Sequence, residues 1–227
     1  KGFIPWDDDM DICMLRDDYE KLQDYMIAHP DERYELMSYK NNVNYVYPFM
    51  KVQDNHTYLV EEDVRIDSDM GIYVDIFPVD GYEDDQAFKD KMTKIIKKRQ
   101  LSCYTFKGIT NKKSFINSLI RYASVIAFYF TDTNKYVKQI DELAKSRKVE
   151  DYELVDYLIY KDMNKPVWKR EWLKDVTVGH FEGRDFLIPV NFHELLTSDY
   201  GNYMQLPPVE QQVSHHDFRL WKIVEEK

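Results

Sequence analysis

Residues 1–14 read KGFIPWDDDMDICM, and four carboxylates (Asp7, Asp8, Asp9 and Asp11) crowd into five positions between Trp6 and an apolar run. Like charges this close repel, and each carboxylate drawn out of water carries a desolvation cost. Something must offset both terms, or the segment must be exposed. In an extended chain, alternate residues share a face. Asp9 and Asp11 then point one way, and Met10 and Ile12 the other. A carboxylate pair at a strand end suits a hard divalent cation such as Mg²⁺, whose charge removes the repulsion. A third acid stands alone in the best later strand, GIYVDIFPVDG at 71–81: Asp75, flanked by Ile72, Tyr73, Val74, Ile76 and Phe77. If that strand lies beside the first, Asp9, Asp11 and Asp75 form a metal-binding and catalytic set of the kind that runs phosphoryl or nucleotidyl transfer.

Other readings of the acidic run compete. The register D-x-D-x-D matches a calcium loop in part, but Ile12 stands where that loop needs glycine and Asp18 where it needs glutamate. A glycosyltransferase D-x-D and a solvated acidic turn are the remaining alternatives. Trp6 and the apolar stretch Ile12–Met14 weigh against the turn.

Outward from this run, DICML reads as a strand and RDDYEKLQDYMIAH as a helix, with Tyr19, Leu22, Tyr25 and Met26 at helical spacing and Pro30 beyond its end. YELMSYK, YPFMKVQD and HTYLVEE read as three further strands, and Pro78 and Gly81 as the close of the 71–81 strand. From about residue 84 to 150 the pattern is helical and rich in lysine. SFINSLIRYASVIAFYF carries an apolar stripe; a buried helix is the default and an interfacial helix the alternative. FEGRDFLIP reads as a hairpin turning at Gly183 and Arg184, and VNFHELLTSDYG as a short helix ended by Gly201. The expected class is α+β, a mixed sheet with flanking helices and a helical insertion. The expected divisions are 1–85, a catalytic core whose N-terminal part lies upstream; 86–165, a basic helical region; and 166–227, a region completing the active site.

The net charge is −10, yet residues 89–121 hold ten basic residues against the single acid Asp90. The acidic remainder argues against nucleic acid as a partner. The basic segment is a solvated helix face, or a peripheral contact with an anionic membrane or a phosphorylated acceptor. Two cysteines, Cys13 and Cys103, give no disulfide framework and no zinc motif. With no run of 18 apolar residues, the expected location is cytoplasmic, with peripheral attachment at the inner membrane face as the alternative.

GFIPWDDDMDI, RDDYEKL, VDIFPVDG, YGNYMQLPP and the His215–His216 pair, in this order and spacing, resemble the LicD family, whose wider group includes fukutin and fukutin-related protein. The resemblance covers residues 1 to about 85 and about 181 to 216. It implies a nucleotidyltransferase-like fold and transfer of a substituted phosphate from a CDP-activated donor to a glycan hydroxyl. The usual bacterial case is phosphocholine from CDP-choline, placed on a teichoic acid or lipopolysaccharide sugar with release of CMP. CDP-ribitol, CDP-glycerol and a non-catalytic glycan- or metal-binding module of the same fold are the alternatives. Carried over by position, Asp9 and Asp11 are metal ligands and Asp75 is a third ligand or the base. Asp7 and Asp8 lie in or just behind that set. Mg²⁺ is the expected ion and Mn²⁺ the alternative. The phosphate-cradling turn of such folds is expected upstream of Lys1.

Further candidates are less specific. Arg16 and Lys51 have the charge to meet donor phosphates. His215 and His216 suit proton transfer or acceptor binding. A choline head group calls for an aromatic box, for which Trp6, Tyr45, Tyr47 and Tyr73 are candidates.

Overall fold

The computed structural model describes residues 2–61, 70–103, 115–128, 130–159, 167–214 and 218–222. Its centre is a seven-stranded mixed sheet. Strand β1 (Asp11–Leu15) runs straight into helix α1 (Arg16–Ala28), with Asp17 and Asp18 in the helix's first turn, where its dipole favours negative charge. Strands β2 (Tyr34–Met37), β3 (Met50–Glu61) and β4 (Met70–Tyr82) follow. β4 is the hub. It pairs with β1 in parallel and with β3 antiparallel, and β3 pairs with β2. β5 (Leu154–Asp156) joins the far end of β4, and β6 (Trp168–Lys169) joins β5. β9 (Phe218–Lys222) returns to pair with β3. The sheet is therefore assembled from segments far apart in the chain, and α+β is the observed class.

Two strand boundaries differ from the sequence expectation. YPFMKVQD and HTYLVEE supply one strand, β3, whose register against β4 shifts between Asp54 and Leu59. The polar residues there occupy a bulge rather than a turn. Pro78 does not close β4, which runs on to Tyr82. β3 is paired with β4 only as far as Ile76 and the pairing with β5 begins at Asp80, so the missing N–H of Pro78 has no antiparallel partner to serve.

Alternation along β4 distributes the core. Ile76 joins Tyr19, Leu36 and Met50, which places α1 on one side. Phe77 joins Phe49, Met92, Ile140 and Ala144, from the helices α2 (Gln86–Ser102) and α4 (Asn134–Lys145). Neighbouring residues entering different clusters mean that the sheet is packed on both faces. Asp85 caps α2, accepting hydrogen bonds from the N–H groups of Ala87 and Phe88. Helix α3 (Phe115–Phe128) packs beside α2.

The C-terminal part adds a two-stranded hairpin, β7 (Val176–Phe181) and β8 (Arg184–Pro189), and helix α5 (Phe192–Tyr200). The hairpin turns at Glu182 and Gly183, both at positive φ, while Arg184 is already paired with Phe181. That geometry explains the glycine. Gly201 ends α5 at φ 64°, as its sequence position suggested.

Candidate active site

The parallel register of β1 and β4 sets Asp11 directly beside Asp75. The antiparallel register of β3 sets Lys51 on the other side of Asp75. Three neighbouring strands thus present two carboxylates and one ammonium on a common face of the sheet. Lys51 Nζ donates to Asp75 Oδ1 at 2.7 Å, and its side chain is only 2% exposed. Its ammonium lies 3.4 Å from the Tyr73 ring centroid, 4.6 Å from that of Tyr47 and 5.4 Å from that of Phe49. Buried ammonium groups need such partners: a carboxylate for charge and ring faces for the rest.

The segment before β1 brings Asp7, Asp8 and Asp9 together. One oxygen from each lies within 4.8 Å of the others, and among the described residues this is the three-acid group that converges so closely. The expected trio of Asp9, Asp11 and Asp75 does not reach that distance. Asp11 nevertheless feels Asp9, Asp75 and Asp7. Burial, then the charges of Asp9 and Asp75, push its pKa up to about 6, against the opposing charge of Lys51, and Asp7 adds to the rise. At Asp11 the field of these acidic neighbours outweighs the opposing charge of Lys51. An all-oxygen donor set of this kind fits a hard divalent cation.

Two elements that the sequence did not connect to the aspartates lie beside them. Ser214 Oγ donates a hydrogen bond to Asp8 Oδ2, tying the C-terminal loop to the acidic segment. Tyr200, at the end of α5, is largely exposed, and partial desolvation, then the charges of Asp199, Asp11 and Asp7, raise its pKa, so its phenol lies within electrostatic reach of the acidic mouth. The only signal for either residue was its position within or near YGNYMQLPP. Tyrosine there also suits plain packing.

The other candidates divide. Trp6 is half-buried at the entrance to the acidic segment. Arg16 is not at the mouth. It follows β1 at the opposite end, where its Nε and Nη2 donate to Asp80 at 2.7 and 2.6 Å, and its Nη1 to Asp141 at 2.8 Å. Burial opposes its charge, but the Asp80 hydrogen bonds and the charges of Asp80 and Asp141 outweigh that and hold it protonated. A guanidinium so committed is a structural cation rather than a phosphate ligand. Tyr45 is buried against Tyr47, and Tyr47 and Tyr73 face Lys51. Tyr47 and Tyr73 therefore face a cation of the protein itself, and Tyr45 packs behind Tyr47. His215 and His216 lie outside the described residues.

The LicD/FKTN/FKRP nucleotidyltransferase domain model matches residues 1–117, which include β1, β4, Lys51 and Asp7, Asp8, Asp9, Asp11 and Asp75. The chain belongs to the LicD family. A LicD relative, the lipopolysaccharide cholinephosphotransferase LicD of Haemophilus influenzae, is 31% identical over 224 residues, covering 95% of this chain and 81% of that protein. No solved structure matches the chain. Membership accounts for the motif order from the acidic segment through VDIFPVDG. The alignment with the relative extends through the C-terminal part that delivers Tyr200 and Ser214.

Proposed function

We propose that the chain transfers phosphocholine from CDP-choline to a hydroxyl of a lipopolysaccharide-type glycan, releasing CMP. It is a LicD-type phosphotransferase, and the observation that supports the chemistry is the pairing of Asp11 with Asp75 inside a field of further carboxylates. Asp9 and Asp11 would hold Mg²⁺ or Mn²⁺, with Asp75 as third carboxylate and Asp7 and Asp8 completing or supporting the set. A cation there would neutralise the donor diphosphate and the charge that develops on it.

The residues of the chain do the rest. Asp75 takes the proton of the acceptor hydroxyl while Lys51, at 2.7 Å from its Oδ1, holds the carboxylate in place. The hydroxyl oxygen forms a bond to the phosphorus that bears choline. The bond from that phosphorus to the bridging oxygen breaks, and CMP leaves with the electron pair. No covalent enzyme intermediate is required, so in-line placement and charge compensation carry the rate. With Tyr47 and Tyr73 occupied by Lys51, recognition of the choline ammonium falls to aromatic rings at the mouth. Tyr200 and Trp6 are the candidates for it.

The test is a donor panel. Protein, Mg²⁺ and a water-soluble lipopolysaccharide oligosaccharide are incubated with CDP-choline, CDP-ribitol or CDP-glycerol, and CMP and the new phosphodiester are followed by phosphorus NMR. Acceptor-dependent CMP release from CDP-choline supports the proposal. Preferred release from CDP-ribitol or CDP-glycerol replaces the cargo and keeps the chemistry. No release from any donor leaves a binding module.

A further inference from the structure

Helix α3 turns an apolar face outward. Leu119 and Ile126 are 61% and 64% exposed, and Ile120, Ala123 and Ala127 are exposed beside them, whereas Ser124 and Val125 are buried against the fold. Positions 119, 123 and 126 fall on one stripe. The helix contains no acid. It packs beside α2, whose lysines Lys91, Lys94, Lys97 and Lys98 are all exposed. Lys107, Lys112 and Lys113 lie outside the described residues.

We propose that α3, flanked by the lysines of α2, is a docking surface for an anionic membrane, lying in the lipid interface rather than crossing it. Among the described residues no helix is long and apolar enough to span, and a 14-residue helix covers roughly 21 Å, short of the hydrocarbon thickness. An apolar stripe beside a row of ammonium groups is the arrangement that buries side chains at the headgroup boundary and attracts acidic lipid. A second copy of the chain fits less well. A two-fold contact through α3 would bring the lysines of one α2 toward those of the other. The inference stands apart from the phosphocholine reading. If the acceptor is a glycolipid, as that reading proposes, the surface would bring the enzyme to its substrate.

The experiment is flotation of the protein with vesicles of equal parts phosphatidylglycerol and phosphatidylcholine, and with phosphatidylcholine alone, at low ionic strength and without nucleotide. The wild type is expected to float with the anionic vesicles and much less with the neutral ones. The double variant Leu119→Asp/Ile126→Asp is expected to lose at least tenfold in binding. Lys91→Glu/Lys94→Glu/Lys98→Glu is expected to lose roughly a hundredfold or more, on the basis of about fivefold per lysine near a charged surface. Its substitutions all fall at exposed positions, so it keeps the test informative if the double variant fails to fold. Absence of wild-type binding to anionic vesicles overturns the proposal. So does a double variant that folds and floats like the wild type, or a concentration-dependent dimer that the double variant abolishes. CMP release with the water-soluble acceptor is measured on the same samples and needs no membrane, so loss of docking and failure of the transfer reaction read out separately.

Discussion

Strands β1 and β4 carry charge at both ends, and the two ends treat it in opposite ways. At one end Asp11 and Asp75 stand side by side, with Asp7, Asp8 and Asp9 close by and Lys51 the cation set against Asp75. Five residues further along, Arg16, which opens α1 directly after β1, and Asp80 of β4 meet in a two-pronged ion pair, extended by Asp141, Glu20, Lys145 and Lys40. In the second group nearly every charge has an opposite charge at hydrogen-bond distance. Glu20 shows the effect: burial works against its charge, yet the hydrogen bonds of Lys40 and Lys145 bring its pKa down to about 2. Asp11 moves the other way, up to about 6. Compensation built into the fold marks charges that hold the fold together. A carboxyl pushed up by burial and like-charged neighbours, as Asp11 is, marks a candidate functional site.

The comparison is broken most directly at the acidic end. Asp11→Asn should lower kcat by roughly a thousandfold, the scale seen when a group that stabilises transition-state charge is removed, while thermal unfolding shows a fold no less stable. Activity within tenfold of wild type would remove Asp11 from the chemistry. At the other end the outcome inverts. Arg16→Met should cost about 3–5 kcal/mol of stability in denaturant unfolding, because Asp80 and Asp141 would be left buried without their partner. A neutral result there would show that the network is not what anchors α1 to β4.

Stability against pH separates the ends by sign. Asp11 has a raised folded pKa, so its ionisation costs stability as pH rises from its unfolded value of 3.8 through about 6. Glu20 has a lowered one, so its contribution is present above its unfolded value of 4.5 and is lost as pH falls toward about 2. Thermal midpoints of wild type and Asp11→Asn should therefore diverge in favour of the variant between pH 4 and 6 and stay parallel above. Convergence over that range would contradict the upward shift at Asp11. The smallest effect is expected from Tyr39→Phe, which removes one hydrogen bond to Asp141. About 1 kcal/mol of stability should go, with CMP release unchanged.

The sequence disclosed these two ends unequally. β1, α1 and β4 were legible because alternation, helical spacing and the lone Asp75 are local signals. The conjunction of Asp9, Asp11 and Asp75 as one site could be inferred, yet its geometry could not. The register that sets Asp11 against Asp75 depends on pairing across 64 residues, and the convergence of Asp7, Asp8 and Asp9 depends on how the segment before β1 turns. Arg16 illustrates the converse. Its type and its place next to the aspartates suggested phosphate binding, while the partners that claim it, Asp80 and Asp141, lie 64 and 125 residues away. The bulge in β3 looked like a chain break because polar residues in a bulge and in a turn have the same composition. Tyr200 and Ser214 reach the mouth only through the tertiary path of the C-terminal part, which no local pattern encodes.

The central proposal is that the carboxylates at the head of β1 and β4 hold a divalent cation. Thermal unfolding of wild type, Asp11→Asn and Asp75→Asn, with and without Mg²⁺ at neutral pH, tests it without requiring any substrate. The account predicts that Mg²⁺ raises the wild-type midpoint and leaves both variants unmoved, with Asp11→Asn at or above wild type when the ion is absent. A wild-type midpoint indifferent to Mg²⁺, or variants that rise with it as far as the wild type, would contradict it.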